Sequence, residues 1–159
     1  MSYILGVAAG FHDAAVCLLD DHGCIEFAAH SERYSKVKND PNICPELVAE
    51  LSGYDVEHIA YYERPWLKQL RQLQSGQGWE WSKLTGRQIL RQQLWPYFTA
   101  DKTVSTHDHH LCHAAGGFQT SPYNSATVVV VDAVGEYATA SIYSAEYKNG
   151  RAVYNRLWS

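Results

Sequence analysis

The sequence lacks the features that mark membrane, secreted and fibrous proteins. Its longest apolar run is six residues, Ala14–Leu19, far below the roughly 20 that span a bilayer. No basic segment followed by an apolar one opens the chain, so we do not expect a secretory precursor. Transmembrane, collagen-like and coiled-coil proteins are therefore excluded.

Cysteine is scarce, and its spacing argues against a disulfide framework. The four cysteines are Cys17, Cys24, Cys44 and Cys112, and no two of them form a C-x-x-C pair. Cys17 and Cys112 lie among apolar neighbours, and we interpret them as small core residues. Because thiols without a bridging pattern are typical of a reducing compartment, we expect a cytoplasmic protein.

The charge balance also lacks an excess of positive charge. The chain has 13 Lys and Arg against 17 Asp and Glu, a net charge of −4 with histidine neutral. We therefore expect no general attraction to nucleic acid. With 159 residues, of which 46% are hydrophobic and 19% charged, the chain has the size and composition of a folded globular domain.

The order of apolar segments and turns predicts a mixed α/β fold. Segments 3–9, 14–19 and 24–29 predict a β-meander, and segments 126–131, 137–147 and 151–158 predict a second one. Between the meanders the pattern predicts helices over 45–51, 65–74, 84–94 and 109–118, and short strands over 58–62 and 104–106. Asp21-His22-Gly23 and Asn149-Gly150 are hairpin signals. Segment 126–131 is apolar on both faces and is predicted to be a buried central strand.

The two meanders resemble each other in the order of their strands and glycine turns. This similarity favours a duplicated unit, and two similar spacings arising by chance are the alternative. No helix follows the second meander, although an apolar sheet is normally covered on both faces. We therefore expect either a fragment of a longer protein or a chain that needs a partner.

A histidine cluster is the strongest chemical signal. Four of the eight histidines lie within seven residues: His107, His109, His110 and His113. On a helix capped by Asp108, His109 and His113 stand one turn apart on the same face, so that both imidazoles can bind one ion. Neutral imidazole suits iron or zinc.

His110 points about 100° away from that face. It also occupies the place of the glutamate in H-E-x-x-H, which disfavours a zinc protease. Exposed histidines at a polar helix start are the alternative. A third ligand has to come from elsewhere, either Asp132 or a residue beyond Ser159.

Two polar turns follow apolar strands. Asp132 and Glu136 could hold a metal or a ribose hydroxyl at the end of a strand, and backbone N–H groups near Gly135 could face phosphate. In the first meander, Gly10 allows close approach of the backbone to a ligand, and His12 could act as acid, base or anion binder. An ordinary turn is the alternative at both places.

Basic residues and tryptophans alternate between 64 and 91. This segment has one acidic residue, Glu80, and six basic residues: Arg64, Lys68, Arg71, Lys83, Arg87 and Arg91. A nucleic-acid surface with stacking tryptophans is one interpretation. We favour two amphipathic helices with a solvated basic face, whose tryptophans lie in the core or against a missing domain.

Taken together, the motifs resemble a known family. The segments GVAAGFHDAA (6–15), SERYSKVK (31–38) and DHHLCHAA (108–115), with SPY (121–123) and DAVGE (132–136), are similar to the N-terminal half of NodU/CmcH-type O-carbamoyltransferases. Three stretches depart from the family pattern. The family's E-E-E-R falls on Ala29–Arg33, its K-H-D is Lys38-Asn39-Asp40, and Ala133 replaces a glycine of D-G-x-G-E.

The resemblance implies an actin-like (ASKHA) fold of the Kae1 type, incomplete in this chain. It places a first subdomain at 1–125, with the inserted helices and the histidine helix, and the start of a second at 126–159. It also implies a carbamoyltransferase reaction. A separate YrdC-like domain, in cis or in trans, makes carbamoyl-adenylate from carbamoyl phosphate and ATP. The carbamoyl group then passes to the hydroxyl of a small-molecule acceptor.

The resemblance further implies roles for individual residues. His109 and His113 are the ligands of a divalent metal, of the iron type, with the family's aspartate ligand beyond Ser159. His12 and Asp13 lie where substrate and carbamoyl group meet. The residues expected at the nucleotide are Gly10, Asp132, Gly135 and Glu136. Without the adenylate-forming domain, the isolated chain is expected to be inactive, and no membrane or nucleic acid is expected as a partner.

The alternatives are a Kae1-like protein of tRNA threonylcarbamoyl-adenosine modification and a non-catalytic interaction module.

Overall fold

Two β-sheets form the framework of the protein in the computed structural model, which describes residues 2–76, 78–97, 102–133 and 136–159. The strands in chain order are β1 (Tyr3–Ala8), β2 (Ala15–Leu19), β3 (Ile25–His30), β4 (Val56–Tyr61), β5 (Thr103–Thr106), β6 (Ser125–Val131), β7 (Ala140–Lys148) and β8 (Arg151–Trp158). The α-helices are α1 (Glu32–Ser35), α2 (Pro45–Leu51), α3 (Pro65–Gln74), α4 (Gly86–Gln93) and α5 (His109–Gln119), with a 3₁₀ helix at Trp81–Lys83.

The first sheet is mixed, with the strand order β3-β2-β1-β4-β5. Strands β1, β2 and β3 form an antiparallel meander, whereas β4 and β5 run parallel to β1. Parallel neighbours need a crossover between them, and the helices that follow β3 and β4 lie in those connections. With the antiparallel second sheet, this arrangement confirms the predicted α/β class with two β-meanders linked by helices.

The main core lies on one face of the first sheet. Alternate residues of the strands are buried there, such as Leu5, Val16 and Ile59, because successive side chains of a strand point to opposite faces. Helices α2 and α4 cover this face with Leu47 and Leu90, neither of which is exposed. Both helices begin on local signals: Pro45 opens α2, and a capping box of Thr85 and Gln88 opens α4.

The second sheet has the order β6-β7-β8 and is antiparallel throughout. Helix α5 packs on one face of it, where Ala114, Val130 and Tyr143 form a small core. The predicted hairpin at Asn149-Gly150 is confirmed between β7 and β8, and both residues have the positive φ that a type I′ turn requires.

The prediction of a buried central strand over 126–131 is wrong. Strand β6 lies at an edge of its sheet and pairs with β7 alone among the strands that the structure describes. Only one face is covered by α5, so Val130 is 5% exposed whereas Val129 and Val131 are 62% and 78% exposed. The uniformly apolar sequence therefore did not reflect burial on both faces.

Three tryptophans predicted to pack in the core or against a missing domain do not lie in the core. Trp66, Trp81 and Trp95 are exposed. For Trp66 the reason is that α3 buries Pro65 and Gln69 and turns its apolar stripe outwards. The interpretation of Cys17 and Cys112 as core residues is also wrong, since both are only half-buried. Within the described ranges, no helix is long and apolar enough to cross a membrane.

Candidate metal centre

Helix α5 carries the two histidines that the sequence singled out. Its N-cap is Asp108, whose side-chain oxygen accepts a hydrogen bond of 3.0 Å from the backbone N–H of Leu111, as predicted. One turn of helix places His109 and His113 side by side, with ring centroids 4.8 Å apart. Their Nε2 atoms face each other at 3.1 Å. The predicted pair is thus brought together.

Asp132 completes a group of three ligand atoms. It directly follows β6, where its backbone N–H donates to the carbonyl of Thr139. Its Oδ2 lies 2.9 Å from Nε2 of His109, and the N–H of Ala133 donates to its other oxygen at 2.6 Å. The ligand atoms of His109, His113 and Asp132 all lie within 4.8 Å of one another. Of the two sources for a third ligand left open by the sequence, the structure places Asp132 beside the histidine pair.

The geometry and chemistry of the three residues fit a divalent metal ion. Ligand atoms about 2.0–2.1 Å from one ion stand about 2.9–3.4 Å apart at octahedral or tetrahedral angles. The two shorter separations, 2.9 Å and 3.1 Å, match this spacing. His113 is exposed, so that one side of the group is open to solvent. Two imidazoles, one carboxylate and an open side form a donor set that suits iron or zinc.

The charge states also suit metal binding. Burial, followed by the neighbouring His113, lowers the pKa of His109 and keeps its ring neutral. Burial alone would raise the pKa of Asp132, but the hydrogen bonds from the Ala133 N–H and from the His109 ring favour the ionised carboxylate, and the pKa is lowered. Neutral imidazole and ionised carboxylate are the forms that bind metals.

His110 lies outside this group, as predicted. It is 3% exposed, and its Nδ1 is 2.6 Å from the hydroxyl of Ser141 on β7. Its position one residue along the helix turns it towards the second sheet. His110 therefore helps to hold α5 on that sheet.

A buried acidic residue beside His109 was not predicted. Glu63 is 2% exposed, and one of its carboxylate oxygens lies 4.0 Å from Nδ1 of His109. The same oxygen lies 3.2 Å from Nζ of Lys68 in α3. Burial raises the pKa of Glu63 and lowers that of Lys68, while each charge favours the other. The one available signal was the place of Glu63 near the carboxyl end of β4, where ligands of α/β proteins gather.

The turn Gly10–Asp13 reaches this region through Phe11. Nζ of Lys68 lies 2.8 Å from the centre of the Phe11 ring. The neighbouring His12 and Asp13 side chains are both exposed, with Nδ1 of His12 3.1 Å from a carboxylate oxygen of Asp13. Gly10 has a φ of +93°, and a Cβ there would lie 3.3 Å from a methyl group of Ile89. The turn itself therefore requires glycine.

The predicted nucleotide residues have different surroundings. Gly135 lies outside the described residues. Glu136 is 5% exposed, and its carboxylate accepts hydrogen bonds from the backbone N–H and the guanidinium of Arg64. Arg64 also binds the capping residue Asp108 at 2.5 Å, which in turn binds Arg156 of β8 at 2.7 Å. This ion-pair network, which we call the Asp108 network, joins α3, α5 and the second sheet.

Two cavities adjoin these residues. A polar one of about 120 Å³ is lined by the Asp108 network together with His110 and Ser141. An apolar one of about 560 Å³ lies on the face of the first sheet opposite the main core. Small residues of the strands, such as Gly6, Ala8 and Ala60, line it together with Cys112 of α5.

The fold and the histidine–aspartate group define an α/β protein with a candidate metal centre between two sheets. A family model described as the carbamoyltransferase N-terminus matches residues 77–157, about half of the chain. The chain belongs to this family.

Two known proteins are similar over nearly the whole chain. The uncharacterized protein sll1178 of Synechocystis sp. (strain ATCC 27184 / PCC 6803 / Kazusa) is 30% identical over 171 residues. The match covers 92% of this chain and 28% of that protein, so the chain spans little more than a quarter of its relative. Among solved structures, YeaZ from Pseudomonas aeruginosa aligns with a TM-score of 0.49 at 13% identity, covering 98% of this chain and 65% of that one.

Proposed function

We propose that this chain is the N-terminal part of an O-carbamoyltransferase that transfers a carbamoyl group from carbamoyl-adenylate to a substrate hydroxyl. The observation that carries the proposal is the convergence of His109, His113 and Asp132 in a chain of the carbamoyltransferase N-terminus family. The NodU/CmcH type, the actin-like fold and a cytoplasmic location belong to the same proposal.

The metal is a divalent ion held by His109, His113 and Asp132, with iron as the expected element from the resemblance. When bound, it supplies Lewis-acid polarisation of a phosphate or carbonyl oxygen of the adenylate. A neutral imidazole pair and one carboxylate leave a single positive charge on the centre, which favours an anionic ligand such as a phosphate. The open side at His113 gives such a ligand access.

His12 and Asp13 are the residues proposed to handle the proton of the acceptor. With Nδ1 of His12 directed at the Asp13 carboxylate, the free Nε2 is the basic nitrogen that can accept a proton. The acceptor oxygen forms a bond to the carbamoyl carbon while the bond from that carbon to the phosphate oxygen breaks. AMP leaves, and the hydroxyl proton goes to His12, whose positive charge Asp13 stabilises.

The nucleotide is proposed to lie near Asp132, Gly135 and Glu136, with Gly10 at the opposite turn. The polar cavity beside Glu136 supports this position, because Arg64 and Arg156 line it and can face a phosphate. The adenylate itself comes from a YrdC-like domain in cis or in trans. We therefore expect the chain alone not to convert carbamoyl phosphate and ATP into a carbamoylated product.

Metal analysis of the purified chain tests the centre. We expect the wild type to bind a divalent ion and both His109→Ala and His113→Ala to lose it. His107→Ala is the matched control, since it removes a histidine of the same cluster that lies outside the group of three. Equal metal content in the wild type and both ligand variants would overturn the proposal.

A further inference from the structure

The two nitrogens of the His109 ring lie in different surroundings. Nε2 faces Asp132 at 2.9 Å and His113 at 3.1 Å, and is therefore the nitrogen that would bind a metal. Nδ1 is buried and has no hydrogen-bond partner among the described residues. A carboxylate oxygen of Glu63 lies 4.0 Å from Nδ1.

Metal binding at Nε2 dictates where the ring proton goes. A neutral imidazole carries one proton, and a nitrogen that binds a metal through its lone pair cannot hold it. The proton must then sit on Nδ1, which points into the protein and towards Glu63. A buried N–H without an acceptor is costly, so this proton needs a partner.

Glu63 is held where it can serve as that partner. It is 2% exposed, and its carboxylate binds Nζ of Lys68, which is itself largely buried. The same Nζ lies against the Phe11 ring, so the ammonium group is fixed from two sides. A shift of about 1 Å brings the Glu63 oxygen from 4.0 Å into hydrogen-bond distance of Nδ1.

We propose that Glu63 is a positioning residue for the metal centre: its carboxylate accepts the Nδ1 proton of His109 and fixes the tautomer in which Nε2 binds the ion. This inference rests on the proposed metal site and goes beyond it, because it assigns a role to a residue outside the three ligands. Carboxylates in this position raise the basicity of a ligating imidazole, and removing them weakens metal binding about 10- to 100-fold.

Titration of the metal-free chain with Zn²⁺ against a chromophoric chelator tests the role of Glu63. We expect Glu63→Gln to weaken binding about 10-fold, since the amide oxygen still accepts the proton, and Glu63→Leu about 100-fold. Asp20→Asn is the matched control, because Asp20 is also a buried carboxylate, but it accepts the backbone N–H groups of His22 and Cys24 in the β2–β3 turn and belongs to no part of the proposed site. It is expected to bind Zn²⁺ as the wild type does.

A spectroscopic measurement on the wild type covers the case in which Glu63→Leu does not fold. In the ¹⁵N spectrum of the histidine-labelled Zn²⁺ form, we expect His109 to bind through Nε2 and to carry a slowly exchanging proton on Nδ1. Binding through Nδ1, or an Nδ1 proton that exchanges freely with water, overturns the inference.

The outcomes separate this inference from the proposed function. If His109→Ala abolishes Zn²⁺ binding while Glu63→Gln and a folded Glu63→Leu bind within twofold of the wild type, Glu63 has no positioning role and the metal site stands. If the wild type does not bind Zn²⁺ at all, both proposals fail.

Discussion

Arg64 and Glu136 are 72 residues apart in sequence and form a two-point ion pair, in which Nε and Nη2 of the arginine donate to one carboxylate oxygen at 2.9 Å and 2.6 Å. The other oxygen accepts the backbone N–H of Arg64. The pair thereby ties Glu136, four residues beyond the proposed metal ligand Asp132, to the start of α3.

Removing Arg64 should destabilise the fold because it leaves the buried Glu136 carboxylate without its partner. We expect Arg64→Ala to lower the free energy of unfolding by about 3 kcal/mol, the lower end for a broken buried pair, since Arg64 is partly exposed. Urea denaturation measures this change. Arg91→Ala, at an exposed position of α4, should change it by less than about 0.5 kcal/mol. If Arg64→Ala lowers the free energy of unfolding by the same amount in the wild type and in the Glu136→Leu variant, the two residues do not interact.

The cap of α5 can be separated from the charge of Asp108. Asp108→Asn keeps a side-chain oxygen for the Leu111 N–H, whereas Asp108→Ala removes it. We expect the alanine variant to be less stable than the asparagine variant by about 1 kcal/mol in thermal unfolding. Thr85→Ala, which removes the cap of α4, should cost a similar amount. Equal stability of the two Asp108 variants would contradict a capping role.

The Asp108 network predicts a pH dependence of stability. Burial alone would raise the pKa of Asp108, but the hydrogen bonds from Arg156 and the Leu111 N–H and the charges of both arginines lower it. Because the pKa of Asp108 is lower in the folded protein than in the unfolded chain, its ionised form stabilises the fold at pH values above about 3.9, the ordinary pKa. This stabilisation is lost as the pH falls through the lower pKa of the folded state. The unfolding free energy of the wild type should therefore decrease below about pH 4. Asp108→Asn should show a smaller decrease, and identical pH profiles would refute the assignment.

The cysteines should differ sharply in reactivity. Burial, followed by the charges of Asp108, Glu136 and Glu63, raises the pKa of Cys112 to about 12. Because the thiolate is the reactive form, Cys112 should react with iodoacetamide at pH 8 at least 100-fold more slowly than the exposed Cys24. Mass spectrometry of the labelled peptides measures both rates. In denaturant the two rates should converge, and fast labelling of Cys112 in the native protein would be the contrary result.

The burial of only one face of β6 can be tested with one matched pair of substitutions. Val129→Thr changes an exposed side chain and should alter the unfolding free energy by less than about 0.5 kcal/mol. Val130→Thr buries a hydroxyl beside Tyr143 and Ala114, and should cost about 1–3 kcal/mol. If thermal unfolding shows that Val129→Thr also lowers the unfolding free energy by about 1–3 kcal/mol, both faces of β6 are buried.

Local signals explain the elements that the sequence predicted well. Helix α2 begins at Pro45 and helix α3 at Pro65, and both end at the predicted residue. The hairpin at Asn149-Gly150 follows from the positive φ that this turn requires. Burial of β6 was mispredicted because it depends on which elements pack on each face, and a run of valines carries no such information.

The candidate site divides in the same way. The relation between His109 and His113 follows from helix geometry alone, so their spacing was sufficient to predict it. Asp132 was one of two alternatives, since its approach depends on how β6 packs against α5. Glu63 and Arg64 were not predicted as parts of the site, because they reach it from the junction between β4 and α3, far away in sequence.

Asp108 is both the cap of α5 and the meeting point of Arg64 from α3 and Arg156 from β8. The first turn of the histidine helix is therefore anchored to both halves of the molecule at a single carboxylate. A hinge rotation of one sheet against the other must strain or break one of these anchors. Such a rotation would also displace the proposed metal ligands His109 and His113, because the same helix carries them.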